Sequence, residues 1–129
     1  MDIKERAAQA VRLKNSGCNC CQAVTAALAD LTGMPKEQLI ELSAGFGAGM
    51  GNMEGSCGAL IGAVMAAGLS KHGNGVMPLA RQINERFCEK CGSIVCKELK
   101  GRDTGKVLCS CDKCVENAVL IYGDVMGIK

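Results

Sequence analysis

Cysteine constrains this chain more than any other residue type, because ten of its 129 residues are cysteine. The charged N-terminal segment 1–6 leads into no apolar run, which predicts that a secretory signal is absent and that the protein is cytoplasmic. Thiols stay reduced in that compartment. We therefore expect the cysteines to bind a metal or to perform redox chemistry, and we do not expect a disulfide framework.

The composition favours helices over strands. Aromatic residues make up only 2% of the chain, tryptophan is absent and 48% of the residues are hydrophobic, so the core must consist of closely packed aliphatic side chains. A chain of this length is typical of one domain, and we expect residues 1–129 to form a single cysteine-rich redox domain. The net charge of +2 is not concentrated in a basic run, so no nucleic-acid partner is expected. No apolar run is long enough to span a membrane.

Apolar residues at helical spacing, together with glycines and prolines at the segment ends, predict an all-α bundle of about five to six helices. The expected segments cover residues 2–15, 20–32, 35–42, 57–71, 78–91 and 111–126, with a short segment over 94–100. The segment from Cys57 is small or apolar on nearly every side, which predicts a buried central helix. The glycine-rich loop over residues 45–51 comes before it. This loop either brings the backbone close to a cofactor or forms a tight connection between two helices.

Four cysteines fall at predicted helix starts. Asn19, Ser56 and Ser110 are good N-cap residues directly before a cysteine, and a cap at Ser93 would place Cys96 in a first helical turn. The partial positive charge and free N–H groups of a helix N-terminus stabilise an anion. An iron–sulfur cluster on four thiolates is such an anion, and so is zinc on four thiolates. The predicted ligands, called here the helix-start quartet, are Cys20, Cys57, Cys96 and Cys111.

Residues other than cysteine offer little chemistry. His72 is the single histidine and lies near a predicted helix end, where a surface cap is the simpler interpretation. A Cys–His nucleophile pair is therefore not expected. Lys97, Glu98 and Lys100 are interpreted as a solvated face. We expect no catalytic residues, and an electron carrier or redox protein fits better than a substrate-specific enzyme.

The helix-start quartet also carries a resemblance to a known family. Its cysteines lie in the elements C-x-Q-A-V, C-G-A-x-x-G and C-K-E-L and just before Val115, and they resemble the four-cysteine pattern of the C_GCAxxG_C_C family of redox-active proteins. The resemblance covers nearly the whole chain. It implies a redox role and, through similarity to the cluster-bearing part of split-Soret cytochromes, an iron–sulfur cluster, with [4Fe–4S] favoured over [2Fe–2S]. No haem site is implied, because the motif C-x-x-C-H is absent.

Six further cysteines lie outside that pattern. With the quartet they create the spacing Cys-x-x-Cys three times, which indicates metal binding or thiol redox chemistry in a reducing compartment. Free cysteines also pack as small hydrophobic residues, so some of the six are expected to do only that. The candidates for a second ligand set, or for a wider cluster together with the quartet, are Cys18, Cys21, Cys88, Cys91, Cys109 and Cys114.

Three functions of different classes remain open on the sequence. The first is a redox-active iron–sulfur protein for electron transfer or redox sensing, with a protein as its redox partner. The second is a thiol–disulfide oxidoreductase that uses the Cys-x-x-Cys pairs. The third is a structural zinc-binding interaction module. Small-residue helix faces would also allow a homodimer.

Overall fold

Eight α-helices form the protein in a computed structural model that describes residues 1–129. In chain order they are α1 (Ile3–Lys14), α2 (Cys20–Ala27), α3 (Ala29–Thr32), α4 (Lys36–Ser43), α5 (Gly58–Ser70), α6 (Val76–Cys91), α7 (Cys96–Lys100) and α8 (Cys111–Met126). Six of these helices are seven residues or longer, and the only β-type pairing is an isolated bridge between Ser56 and Val95. The all-α prediction is confirmed.

The central helix α5 packs closely against α2 because its inner face consists of small residues. A Cβ atom at Gly62 would lie 3.1 Å from Val24 Cβ, and one at Gly58 would lie 2.5 Å from Cys20 Sγ. These two contacts show that α2 and α5 run side by side in the same direction, with their N-termini together. The predicted buried central helix is confirmed, since Gly58, Ala59, Ala63 and other small residues of α5 are buried.

The helix α8 runs in the same direction as α5. Tyr122, near its C-terminus, is buried, and its hydroxyl group lies 2.8 Å from Ser70 Oγ at the end of α5. At the other end, the Cys114 thiol in the first turn of α8 contacts Cys57 at the start of α5. The first turns of α2, α5 and α8 therefore meet at one end of the bundle. We call this region the thiol end.

The glycine-rich loop folds over the thiol end. Gly55 N–H donates to Gly49 O at 3.0 Å, which closes the loop on itself, and Gly49 has a left-handed φ of 57°. Two backbone hydrogen bonds then join the chain before Cys57 to the chain before Cys96: Cys57 N–H donates to Ile94 O at 2.7 Å, and Cys96 N–H donates to Gly55 O at 3.0 Å. The loop and α7 therefore form one layer against the bundle.

Most predicted helix boundaries agree with the structure, and two predicted caps are wrong. Asn19 caps α2 with a capping box, and the Ser110 side chain accepts from Lys113 N–H at the start of α8, as predicted. However, Ser56 does not cap α5, because Cys57 itself has the extended backbone of the N-cap (φ −56°, ψ 129°). Likewise Val95, not Ser93, is the cap of α7. None of the eight helices is both long and apolar enough to cross a bilayer.

Candidate metal centre

Cys20 and Cys57 form the middle of the thiol end. Cys20 begins α2 and Cys57 caps α5, and the Cys20 sulfur lies against the first residue of α5, since a Cβ atom on Gly58 would lie 2.5 Å from Cys20 Sγ. The N–H groups of Ala59 and Leu60 also lower the pKa of Cys57, although its side chain forms no N-cap hydrogen bond. Both side chains are buried. Cys57 therefore lies at the N-terminus of α5, where the first turn has free N–H groups.

The other two quartet members lie beside Cys20. Cys111 begins α8 and Cys96 begins α7, and each lies within electrostatic range of Cys20. Cys96 is buried, whereas Cys111 is partly exposed. The structure thus brings all four predicted cysteines to the thiol end. The glycine-rich loop lies close to Cys96, since a Cβ atom at Gly49 would lie 2.5 Å from Cys96 Cβ.

Three of the additional cysteines form a tighter group. The Sγ atoms of Cys91, Cys109 and Cys114 all lie within 4.8 Å of one another, and all three side chains are buried. We call them the thiol trio. Cys91 ends α6, Cys109 lies in the loop before α8, and Cys114 lies in the first turn of α8. These three buried cysteines are positioned to hold a metal ion, and Cys114 joins the trio to the quartet through its contact with Cys57.

The remaining additional cysteines do not join either group. Cys88 is exposed on α6 although Cys91, three residues later, is buried. Cys18 is partly buried before α2, and the buried Cys21 thiol contacts Met65 Sδ at 3.8 Å. Burial raises the pKa of Cys21 to about 12, so its thiol stays protonated near neutral pH. Although Cys88 and Cys91 have the spacing Cys-x-x-Cys, one is exposed and the other is buried, so the two thiols do not share a surface.

Hydrogen bonding among the thiols divides them into donors and acceptors. Contacts with Cys114 and Cys20 hold the pKa of Cys57 well below its ordinary value although the group is buried. Contact with Cys114 likewise lowers the pKa of Cys91. The pKa of Cys114 changes in the opposite direction: hydrogen bonding to Cys57 and Cys91 raises it, and burial raises it further. As the pH rises, Cys57 and Cys91 therefore lose their protons before Cys114 does.

Two polar residues support the thiols, and the sequence interpretation missed both. Lys100 was expected on a solvated face, but its Nζ donates to Cys109 O at 3.4 Å and to Cys114 Sγ at 3.6 Å. Burial lowers the pKa of Lys100, yet nearby thiolates outweigh this effect and raise it overall. Asn117 Nδ2 donates to Cys91 Sγ at 3.4 Å. Sequence spacing could have identified both residues. Lys100 follows Cys96 by four residues and Asn117 follows Cys114 by three, which places each pair on one helix face.

No cysteine lines the largest cavity of the protein. This cavity has a volume of about 990 Å³, and its lining from α4, α5 and the start of α6 includes Leu42, Met65 and Met77. His72, which was expected to be a surface residue, is exposed at its rim. The Cys21 thiol contacts one of the lining residues, because its Sγ lies 3.8 Å from Met65 Sδ.

A comparison with protein families adds to this geometry. Residues 18–125 match the family described as "Putative redox-active protein (C_GCAxxG_C_C)". The matched range includes all four members of the quartet and all three of the trio. Among curated proteins and among solved structures, none matches the chain. Because the match covers most of the sequence and the four-cysteine pattern that its label describes, this chain belongs to the C_GCAxxG_C_C family of redox-active proteins.

Proposed function

We propose that the protein is an electron-transfer or redox-sensing protein that carries an iron–sulfur cluster on Cys20, Cys57, Cys96 and Cys111. One observation carries this proposal: four thiols at four helix starts converge at the thiol end of the bundle. Soft thiolates are the ligands that iron–sulfur clusters prefer. The family's redox character is consistent with such a centre.

The charge of the surrounding protein supports an anionic cluster. The helices α2, α5 and α8 direct their N-termini at the same region, so their partial positive charges add there. The ammonium group of Lys100 lies within electrostatic range of Cys57, Cys111 and Cys114. Four thiolates around an iron–sulfur core leave a net negative charge, which these groups would compensate.

The quartet is less suited to a single ion than the trio is. One ion brings all its thiolates within about 4 Å of one another, because metal–sulfur bonds are about 2.3 Å long. The trio has its sulfurs mutually within 4.8 Å, and no three members of the quartet do. We favour the [4Fe–4S] form on the quartet because the family resemblance implies it.

Electron exchange requires a route to a partner. Cys111 is the partly exposed member of the quartet, so the cluster edge at Cys111 is the expected point of exchange. The cluster would accept one electron from the redox centre of a partner protein and later return that electron to an acceptor, without forming or breaking a covalent bond to substrate. This role needs no catalytic acid or base.

Metal analysis of protein purified without oxygen tests the proposal. Iron-replete expression should give a brown protein that contains iron and acid-labile sulfide, with visible absorption that bleaches on reduction with dithionite. Each change of a quartet member to serine should remove the iron, because a hydroxyl group is a hard and mostly protonated ligand. Cys88→Ser is the matched control, since Cys88 is exposed on α6.

Two results would contradict the proposal. A colourless protein with stoichiometric zinc would favour the structural zinc module, and full iron content in the Cys57 or Cys111 variant would show that the ligand set is wrong. Removal of the metal by a chelator should leave most helical circular dichroism intact, because the aliphatic core does not depend on the metal. Collapse to coil would instead indicate that the metal is required for folding.

A further inference from the structure

We propose that Cys91, Cys109 and Cys114 form a second metal site, which binds one soft, closed-shell ion of the Cu(I) or Zn²⁺ class. None of these three cysteines is a ligand of the proposed iron centre, although the zinc form discussed below would share Cys57 with it. The three residues come from a helix end, a loop and a helix start, and the fold places their sulfurs within 4.8 Å of one another. No other three cysteines of the chain meet at this spacing.

The spacing of the trio fits a single ion. With metal–sulfur bonds of about 2.3 Å, the sulfurs around one ion lie about 3.8 to 4.0 Å apart. The trio needs to contract by less than about 1 Å to reach this geometry, which rotation of cysteine side chains supplies. All three side chains are at least nine-tenths buried, with exposed fractions of 3% for Cys91, 9% for Cys109 and 0% for Cys114. Buried soft sulfur favours a soft ion and protects it from water.

The groups around the trio are suited to thiolates. Asn117 Nδ2 lies 3.4 Å from Cys91 Sγ and 4.0 Å from Cys109 Sγ, so one amide group donates toward two of the sulfurs. Lys100 Nζ lies 3.6 Å from Cys114 Sγ, the third sulfur. Each sulfur therefore has a neighbouring N–H donor, and one of these donors carries a positive charge. Outer partners of this kind orient metal ligands and compensate their charge.

The two ions differ in how many thiolates they need. Cu(I) accepts three, so the trio alone would complete its coordination. Zinc is almost always four-coordinate in structural sites. Cys57 is the thiol that could supply the fourth ligand, because it contacts Cys114. Dependence on Cys57 therefore separates the two ions.

An ion at the trio would also fix the position of Cys96. Cys91 comes before the segment 92–108 and Cys109 comes after it, and α7 with Cys96 lies within this segment. A metal that joins Cys91 and Cys109 to Cys114 would fasten both ends of the segment to α8. Closing such a loop removes conformational freedom from its interior. The ion would therefore act as a clamp that positions one ligand of the quartet.

Metal titration of the full-length chain tests this site. The protein is stripped of metal under reducing, anaerobic conditions and titrated with Zn²⁺ in one arm and with buffered Cu(I) in the other, and X-ray absorption counts the sulfur neighbours of the bound ion. Cys91→Ser and Cys109→Ser should weaken binding at least about hundredfold, whereas the control Cys88→Ser should bind as the wild type does. Asn117→Leu, which keeps all three thiols, should weaken binding by about ten- to a hundredfold.

Each outcome has a defined meaning. Cu(I) bound by three sulfurs, with an affinity that does not change in Cys57→Ser, supports a copper site. Zinc bound by four sulfurs, with an affinity that falls in Cys57→Ser, supports a zinc site. Unchanged binding in the Cys91 and Cys109 variants overturns it, as does coordination by oxygen or nitrogen. Iron content, measured on each variant before the metal is stripped, separates this proposal from the previous one, because Cys20→Ser should lose its iron and still bind the added ion at the trio. Asn117→Leu keeps the test valid if a serine variant does not fold.

Discussion

The helix-start quartet and the thiol trio lie side by side but are built in different ways. Each quartet member begins or caps a helix, so local sequence determines where its thiol lies relative to the helix axis. The trio combines the end of α6, a loop and the first turn of α8, and its sulfurs are closer together. The difference indicates that one end of a small bundle can hold two kinds of metal site. Cys57 and Cys114 connect them, which makes that contact the most informative place to perturb.

The largest expected effect is that of Cys57→Ser, because Cys57 contacts both groups. Serine is a good N-cap residue, so α5 should keep its start and the helical circular dichroism should stay unchanged. The iron content should nevertheless fall at least about tenfold, since the soft ligand is lost. Iron and sulfide analysis of anaerobic protein measures this effect. Loss of helix together with iron would show that the sulfur contributes to folding as well as to binding.

Gly49→Ala should disturb the quartet and leave the trio intact. Gly49 has a left-handed φ of 57°, and a Cβ atom there would lie 2.5 Å from Cys96 Cβ. The control is Gly51→Ala, where φ is 85° and no atom lies within 4 Å of the added Cβ. The control should lose about 1 kcal/mol of stability from backbone strain alone. Overpacking at Gly49 should add about 1 to 3 kcal/mol, which thermal unfolding of both variants measures.

The retained iron of the same two variants sharpens the comparison between the sites. Gly49→Ala should lower the iron content more than Gly51→Ala, because only Gly49 contacts a quartet cysteine. The affinity of the trio for added Zn²⁺ or Cu(I) should stay within error in both variants. Equal iron contents in the two variants would indicate that the loop needs glycine for its backbone conformation and not for the close approach of Gly49 to Cys96.

Lys100→Met should change the redox potential more than the stability. The Lys100 ammonium group contacts Cys114 and lies within electrostatic range of Cys57 and Cys111. Its removal takes a positive charge from the neighbourhood of an anionic cluster, so reduction becomes less favourable. The potential should fall by on the order of tens of millivolts. Anaerobic redox titration measures the shift, and Lys36→Met on α4 is the control for net charge. Equal shifts in the two variants would exclude a local role for Lys100.

Glu54→Gln should have the smallest effect. The Glu54 carboxylate pairs with Arg102 at 2.7 Å and with Lys97 at 2.9 Å, which ties the segment after the glycine-rich loop to α7 and to the turn that follows α7. These pairs lie at the surface, so the variant should lose iron to a chelator only about twofold faster than the wild type. High salt should abolish this difference, because it screens exposed charges. Glu41→Gln, exposed on α4, is the matched control. A large effect that persists in high salt would show that Glu54 stabilises the bound iron by more than these two surface ion pairs.

The sequence predicted the helix starts well because capping is a local property. Asn19 and Ser110 have their expected roles, and α8 covers the predicted range from Cys111 to Met126. Ser56 failed as a cap because the backbone pairing between Cys57 and Ile94, which are far apart in the sequence, moves the cap by one residue. Lys100 was assigned to solvent for a similar reason. Its neighbours Cys109 and Cys114 come from a different segment of the chain.

The sequence by itself determined the helical class, the approximate helix boundaries and the family pattern of four cysteines, since these depend on spacing along one segment. Only the tertiary structure decided which of the six additional cysteines meet. The same spacing occurs in Cys88-x-x-Cys91 and Cys111-x-x-Cys114, yet Cys88 is exposed while Cys91 and Cys114 join the trio. The physical reason is that burial depends on which helix face the core covers. Which face is covered results from the packing of α6 and of the loop before α8 against α8, and it cannot be deduced from the local spacing of the cysteines.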